Sequence, residues 1–283
     1  MNRKLRRRIA ITTSCNDVAT IPKVPEAGQT GVEQRTGRVY LVMHNGLKVY
    51  DDTHFGPFMT SIIRSLRGHH EPQEEWVFHI VLPEIPKAGV MVELGASWSY
   101  YSMWFLREVE DGRAYMIEVN SPQAARDNFE LNGFSEGDFT QAFVTATSNS
   151  ETGRINIDDF AATKGLEHIH LLHSDIQGAE SDMLTGAERM LRERRIDFLF
   201  ISTHGSVIHR DCRDHLEQMG YRLITDHTVL ESYSVDGLLV ACRPGLTLPE
   251  VQVSKRPVRS VRDMRMAVQA WWKLAWAPRR RAG

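Results

Sequence analysis

The chain has little cysteine: three residues in 283, Cys15, Cys212 and Cys242, far apart and in no metal-binding or C-x-x-C spacing. That excludes a disulfide framework and a cysteine-ligated zinc site, and with twelve histidines it suits a reduced, cytoplasmic protein. No run approaches the ~20 apolar residues that cross a bilayer, which excludes a spanning helix. The basic start, Met1 to Asp17, runs on into Thr, Ser, Asn and Asp instead of an apolar stretch, so it is not read as a signal peptide. Internal repeats and low-complexity tracts are also missing.

A large net charge is absent too, but the formal −2 conceals an uneven distribution. Residues 1–10 hold five basic groups and no acid, and residues 255–283 hold nine against Asp263, which leaves −15 on the rest. An acidic body argues against a nucleic-acid surface on the main domain. The two basic ends could still meet an anionic partner. What is present is ordinary for a folded protein: 42% hydrophobic and 25% charged residues, at a length that gives one main domain with smaller additions.

Three segments are expected: an N-terminal extension over 1–89, a main domain over 90–244, and a linker with a basic helix over 245–283. In the extension, two β-patterned runs flank Asn45-Gly46, which predicts a hairpin over 38–51 with a type I′ turn. A short helix over 60–68 follows, and two prolines then lead into the main domain. From Val90 the pattern alternates apolar strands with helices, which predicts a parallel sheet covered by helices. The helix after Glu118 is bounded by Ser121 as N-cap, Pro122 at its first position and Gly133 past its end. After Gly220 two strand-like runs are separated only by a polar loop, so they should pair antiparallel. A terminal antiparallel pair suits a Rossmann-like methyltransferase better than a nicotinamide-binding domain, which keeps a helix there.

The first strand ends in Glu93-Leu94-Gly95-Ala96-Ser97-Trp98-Ser99 and opens into a helix, the place where a doubly wound sheet binds a nucleotide-like ligand. Gly95 allows a tight turn and close backbone approach, and the helix's first amides attract an anion. An ordinary strand-to-helix turn would look the same. Glu118 closes the next strand 25 residues after Glu93, where an acid hydrogen-bonds the ribose of an adenosine-containing cofactor. The two features together are more specific than either alone.

From Val90 to Gly205 the chain resembles the FkbM family of methyltransferases. The resemblance rests on Glu93, Gly95 and Tyr100-Tyr101-Ser102, on Glu118, and on Asn128-Phe129-Glu130-Leu131-Asn132-Gly133. It continues through Asp158-Asp159-Phe160, Asp175-Ile176-Gln177-Gly178-Ala179-Glu180 and Leu184-Thr185-Gly186-Ala187. It implies S-adenosylmethionine as cofactor, held by Glu93, Gly95, Ala96, Ser97 and Ser99 in the first loop with Tyr101 and Ser102 beyond it. Glu118, Asp175 and Gln177 would complete that site. Ser99 stands for a later glycine of the family, Val119 for a proline, and Gln177 for a glutamate; the last change counts against a carboxylate-based metal site.

Asp175 and His204 close neighbouring strands at the ligand edge, where the transferred methyl group should lie. Either could take a hydroxyl proton, His204 being the better base because a neutral imidazole accepts a proton near pH 7. The plainer alternative makes His204 a hydrogen-bonded strand end and Asp175 an N-cap. A divalent metal held by Asp175, His204 and Glu180 is a minority reading. His168 and His170 share one strand face and His173 the other, so these three are not a metal site.

In the tail, Val261, Met264, Val268, Trp271, Trp272 and Ala275 fall at helical spacing among basic residues. This helix should pack on the domain or on a neighbouring subunit of a homo-oligomer, with peripheral contact to a membrane as the second reading. The leading function is methylation of a hydroxyl on a small molecule, glycan or lipid, as the resemblance implies. A nicotinamide-dependent oxidoreductase and a non-catalytic Rossmann-like binding domain are the alternatives. The single-glycine loop counts against the former.

Overall fold

The computed structural model describes residues 3–134 and 137–257. The tail helix expected within 258–283 lies outside the described residues. The chain opens with α1 (Arg3–Thr12), then β1 (Thr30–Val32), β2 (Val39–Val42) and β3 (Lys48–Tyr50), followed by α2 (Pro57–Ser65) and α3 (Pro72–Val81). The expected hairpin is β2–β3, and β1 widens it to a three-stranded antiparallel sheet. Its turn differs from the expected type I′, which needs positive φ at both central residues. Only Gly46 does so, at φ +85°, and Met43 bonds Leu47 across a three-residue loop. The two-proline lead-in is itself a helix, α3, because Pro72 at its first turn needs no N–H partner and presets φ.

The main sheet begins with β4 (Val90–Leu94), α4 (Tyr100–Glu108), β5 (Arg113–Glu118), α5 (Gln123–Leu131) and β6 (Asp138–Gln141). A separate two-stranded pair, β7 (Phe143–Val144) with β8 (Arg154–Ile155), precedes α6 (Ile157–Lys164) and β9 (Ile169–Ser174). Next come α7 (Glu180–Thr185), α8 (Glu188–Arg192), β10 (Ile196–Thr203), α9 (Ser206–Gln218), β11 (Arg222–His227) and β12 (Gly237–Cys242). Two boundaries depart from expectation. Pro122, not Ser121, stands at the N-cap of α5. Strict alternation of strand and helix gives one helix between β9 and β10; it is split at Gly186-Ala187 into α7 and α8, because the Gly186 carbonyl accepts from Asp158 N–H at 2.9 Å while the Asp158 carboxylate accepts from Arg189 and Met190 N–H and starts α8.

The strand order is β11-β12-β10-β9-β4-β5-β6, parallel except for β12. The antiparallel pair is therefore real, but β12 inserts between β10 and β11, so its start lies at the same edge as the parallel strand ends. This Rossmann-like sheet is mostly parallel and covered on both faces, which is why β4 and β10 are buried throughout. Met91, Leu171, Phe198 and Phe200 face one core, while Val92, Leu172, Leu199 and Ile201 face the other, the alternation a pleated strand imposes.

The extension shares the first core. Leu41, Met43, Val49, Ile62, Val77 and Phe78 pack in one cluster with Met91, Trp104 and Phe200. Leu246, Leu248, Val251 and Val253 cover that cluster from the other end of the chain, where Trp76 Nε1 donates to the Gln252 carbonyl at 3.0 Å. No helix among the described residues is long and apolar enough to cross a membrane.

Candidate active site

The turn after β4 is built by a close approach. Gly95 has φ +74°, and a Cβ there would lie 1.9 Å from the Asp175 carbonyl oxygen, so the glycine serves the contact between the β4 and β9 loops before any ligand is considered. Ser97 and Ser99 also adopt positive φ, 38° and 55°, and Ala96 is buried. Ser97 N–H donates to Glu118 Oε2 at 3.0 Å, which ties the turn to the end of β5. Glu118 Oε1 accepts from Asn120 N and Nδ2 at 2.8 and 3.0 Å. A carboxylate offers about four acceptor positions, and three donors leave room for a ribose hydroxyl.

Other members of the expected cofactor set are turned elsewhere. Glu93 Oε2 accepts from Ser102 N at 3.1 Å and from Ser102 Oγ, so the two close the first turn of α4 on each other. Burial pushes the Glu93 carboxyl up to about 6, against the pull of His173 and Ser102. The Tyr101 hydroxyl donates to Glu71 Oε2 at 3.1 Å beneath α3. The side chains of Glu93, Tyr101 and Ser102 thus shape the site from behind instead of presenting themselves to a ligand. The N-F-x-x-N-G asparagines act likewise. Asn128 accepts from Tyr50 N–H at 3.0 Å and donates to the Trp98 carbonyl at 3.0 Å, and Asn132 pairs with both backbone groups of Lys48. They fasten the edge of β3 to α5, and Asn128 ties both to the turn between β4 and α4.

Asp175 and His204 do meet. His204 Nδ1 lies 2.6 Å from Glu180 Oε1, while Nε2 faces Asp175 Oδ1 and Asp236 Oδ1, each at 3.3 Å. Burial would lower the His204 pKa, but the Glu180 hydrogen bond and the charges of Asp236 and Asp175 outweigh it and push it up to about 10. A neutral imidazole base at pH 7 is therefore not what this environment makes, and that expectation for His204 is corrected: the ring is a cation and a donor. Burial and the neighbouring acids raise Asp175 to about 7 although His204 opposes them, and Asp236 to about 6. Asp175 does not cap a helix; α7 starts at Glu180, with Ala179 at its cap. Gln177 Nε2 donates to Asp175 Oδ1 at 3.0 Å, a contact that the family's glutamate could not make.

Asp236, Glu71 and Glu74 were not foreseen. Asp236 precedes β12 and reaches the parallel strand ends only because β12 is inserted antiparallel. Glu71 and Glu74 sit at the start of α3, where the titratable run His69-His70-Glu71-Pro72-Gln73-Glu74-Glu75 was the available signal. Glu74 pairs with His173 Nε2 at 2.7 Å and accepts from Ser202 Oγ at 3.0 Å. A hollow of about 10 Å³, near the size that holds one water, is lined by Glu71, Glu74, Ser202, Ser234 and Asp236. A larger cavity of about 590 Å³ lies behind α4 beside Lys23, His44 and Glu108, and none of the expected site residues lines it.

The metal set of Asp175, His204 and Glu180 does not converge, since the two carboxylates occupy opposite ring nitrogens. Two other groups bring ligand atoms together among the described residues. The His44 and His69 rings stack at 4.2 Å and 15°, so their in-plane lone pairs cannot share an ion. His170 Nδ1 accepts Val90 N–H, and Asp197 is held by His168 and Arg243.

Residues 92–223 match the sequence model of the methyltransferase FkbM domain. Among solved structures the chain is similar to the precorrin-6y C5,15-methyltransferase of Geobacter metallireducens, at 14% identity and a TM-score of 0.42 over 59% of this chain and 87% of that one. It is similar to M. capricolum TrmK in complex with S-adenosyl-homocysteine, at 15% identity and a TM-score of 0.40 over 59% and 68%. A SAM-dependent methyltransferase from Aquifex aeolicus is similar at 13% identity and a TM-score of 0.36 over 58% and 88%. These likenesses are too distant to transfer a substrate. No curated protein matches.

Proposed function

We propose, from the premise that residues 92–223 form an FkbM methyltransferase domain, that this protein transfers the methyl group of S-adenosylmethionine to a hydroxyl oxygen of a sugar, lipid or other secondary metabolite. The observation that carries the cofactor reading is the bond between Ser97 N–H and Glu118, which joins a tight backbone turn to a ribose-reading acid at the ends of adjacent parallel strands. When bound, the cofactor supplies a methyl group on a sulfonium sulfur, already activated for in-line displacement. The protein then has to align two reactants and accept one proton.

Asp175 suits the proton, because a carboxyl raised to about 7 is a stronger base than an ordinary aspartate. With the methyl group supplied by the bound cofactor, Asp175 would take the proton that the acceptor hydroxyl gives up. His204, charged and anchored by Glu180, donates from Nε2 toward that oxygen and holds Asp175 in place. The insertion of β12 without an intervening helix counts against a nicotinamide enzyme.

Calorimetry with S-adenosylhomocysteine tests the cofactor reading. Glu118→Ala should weaken binding by about 1.5 to 3 kcal/mol, the worth of a charge-assisted hydrogen bond, and NAD should not bind the parent. Unchanged affinity in the variant would remove the main support.

A further inference from the structure

We infer that the 51–56 loop of the N-terminal extension completes the cofactor site, with His54 binding the carboxylate of the cofactor's methionine half; the inference rests on the cofactor reading above. The loop is locked to the cofactor turn by one side chain. Asn128 Nδ2 donates both to Thr53 Oγ1, at 3.1 Å, and to the Trp98 carbonyl, at 3.0 Å. His54 stands edge-on to the Trp98 ring, with centroids 5.6 Å apart at 72°.

Both ring nitrogens of His54 are shut off from water and have no hydrogen-bond partner. Such a group costs free energy and is rare in folded proteins unless something outside the chain satisfies it. A second orphan lies on the same turn: Ser99 Oγ is wholly buried and unpartnered. Burial, with the nearby charge of His70, lowers His54 to about 4, so the ring is neutral and keeps one N–H to donate.

The missing partner is an acceptor, and the carboxylates nearest the turn are engaged. Glu118 is taken by Ser97 and Asn120, Glu93 by Ser102, and Glu71 by Tyr101 and Ser234. The cofactor has one to offer. With its ribose at Glu118 on β5 and its methyl toward Asp175 on β9, its amino-acid half must leave the sulfur along the intervening Trp98–Ser99 turn. An anion on that path would supply the acceptor that the two orphan donors lack. It also meets His70, whose ring lies 4.8 Å from Trp98; burial opposes its charge, but Glu75 and Glu71 hold it as a cation.

The test compares S-adenosylhomocysteine with 5′-methylthioadenosine, which keeps the adenosine and thioether but lacks the amino-acid carboxylate, by calorimetry at pH 7.5. His54→Ala should weaken S-adenosylhomocysteine roughly 10- to 100-fold and leave 5′-methylthioadenosine within about 2-fold of the parent. His54→Gln keeps an N–H donor and should recover most of that loss, and Ser99→Ala should show the same ligand selectivity on a smaller scale. Parental affinity for S-adenosylhomocysteine in His54→Ala would overturn the inference. So would equal loss of both ligands, which marks a packing role. A parent that binds neither ligand would instead remove the cofactor reading itself.

Discussion

His204 shows how neighbours set a residue's chemistry. In isolation an imidazole titrates near ~6.5 and is the obvious base. Here Glu180, Asp175 and Asp236 face its two nitrogens and keep it charged up to about pH 10. Because the folded pKa lies above the unfolded one, the stabilisation is fully present below about pH 6.5 and is lost as pH rises through about 10. Asp175 contributes a loss of the same sign at lower pH, as its raised carboxyl gives up its proton through about 7. Melting temperatures measured from pH 6 to 10.5 should therefore fall more steeply for the parent than for His204→Gln. Parallel curves would show that the imidazolium does not exist in the folded protein. Gln177 belongs to the same balance, since its amide donates to Asp175 where a glutamate would repel it.

Among the elements, β3, α5 and the β4–α4 turn act as one unit because Asn128 joins all three. Its side chain is fully buried and meets Tyr50 N–H, Thr53 Oγ1 and the Trp98 carbonyl. Asn128→Ala strands a backbone donor and a backbone acceptor in the interior, at about 1 to 3 kcal/mol each. Urea unfolding should show a loss of about 3 kcal/mol, and a loss below about 1 kcal/mol would mean that the turn is held by other contacts. The D-D-F and L-x-G-A segments have a similar structural account: Asp158 starts α8 while Phe160 fills the second core.

In the whole molecule, residues 1–89 are not an appendage. They supply twelve of the thirty buried residues of one core, the start of α3 that carries Glu71 and Glu74, and the hairpin edge that Asn128 and Asn132 grip. A chain cut to residues 90–244 would expose Met91, Trp104 and Phe200, whose burial is worth about 2 kcal/mol or more per side chain. It should lack a cooperative calorimetric transition, whereas the intact protein should unfold in a single one. A sharp transition in the shortened chain would establish the extension as a separate unit.

The sequence alone determined the parallel sheet from Val90, the antiparallel pairing after Gly220, Glu118 at the end of β5, and the adjacency of Asp175 and His204. These follow from local periodicity and from the rule that successive parallel strands end at one edge. Tertiary structure decided the rest, because the deciding contacts join residues far apart in the chain. The insertion of β12 brought Asp236 beside His204. Docking of α3 put Glu74 on His173 and Glu71 on Tyr101, and the β9 loop explained why position 95 must be glycine. The charge of His204 was beyond the reach of sequence for the same reason: it depends on three carboxylates 24, 29 and 32 residues away, and only the fold sets their distances from the ring.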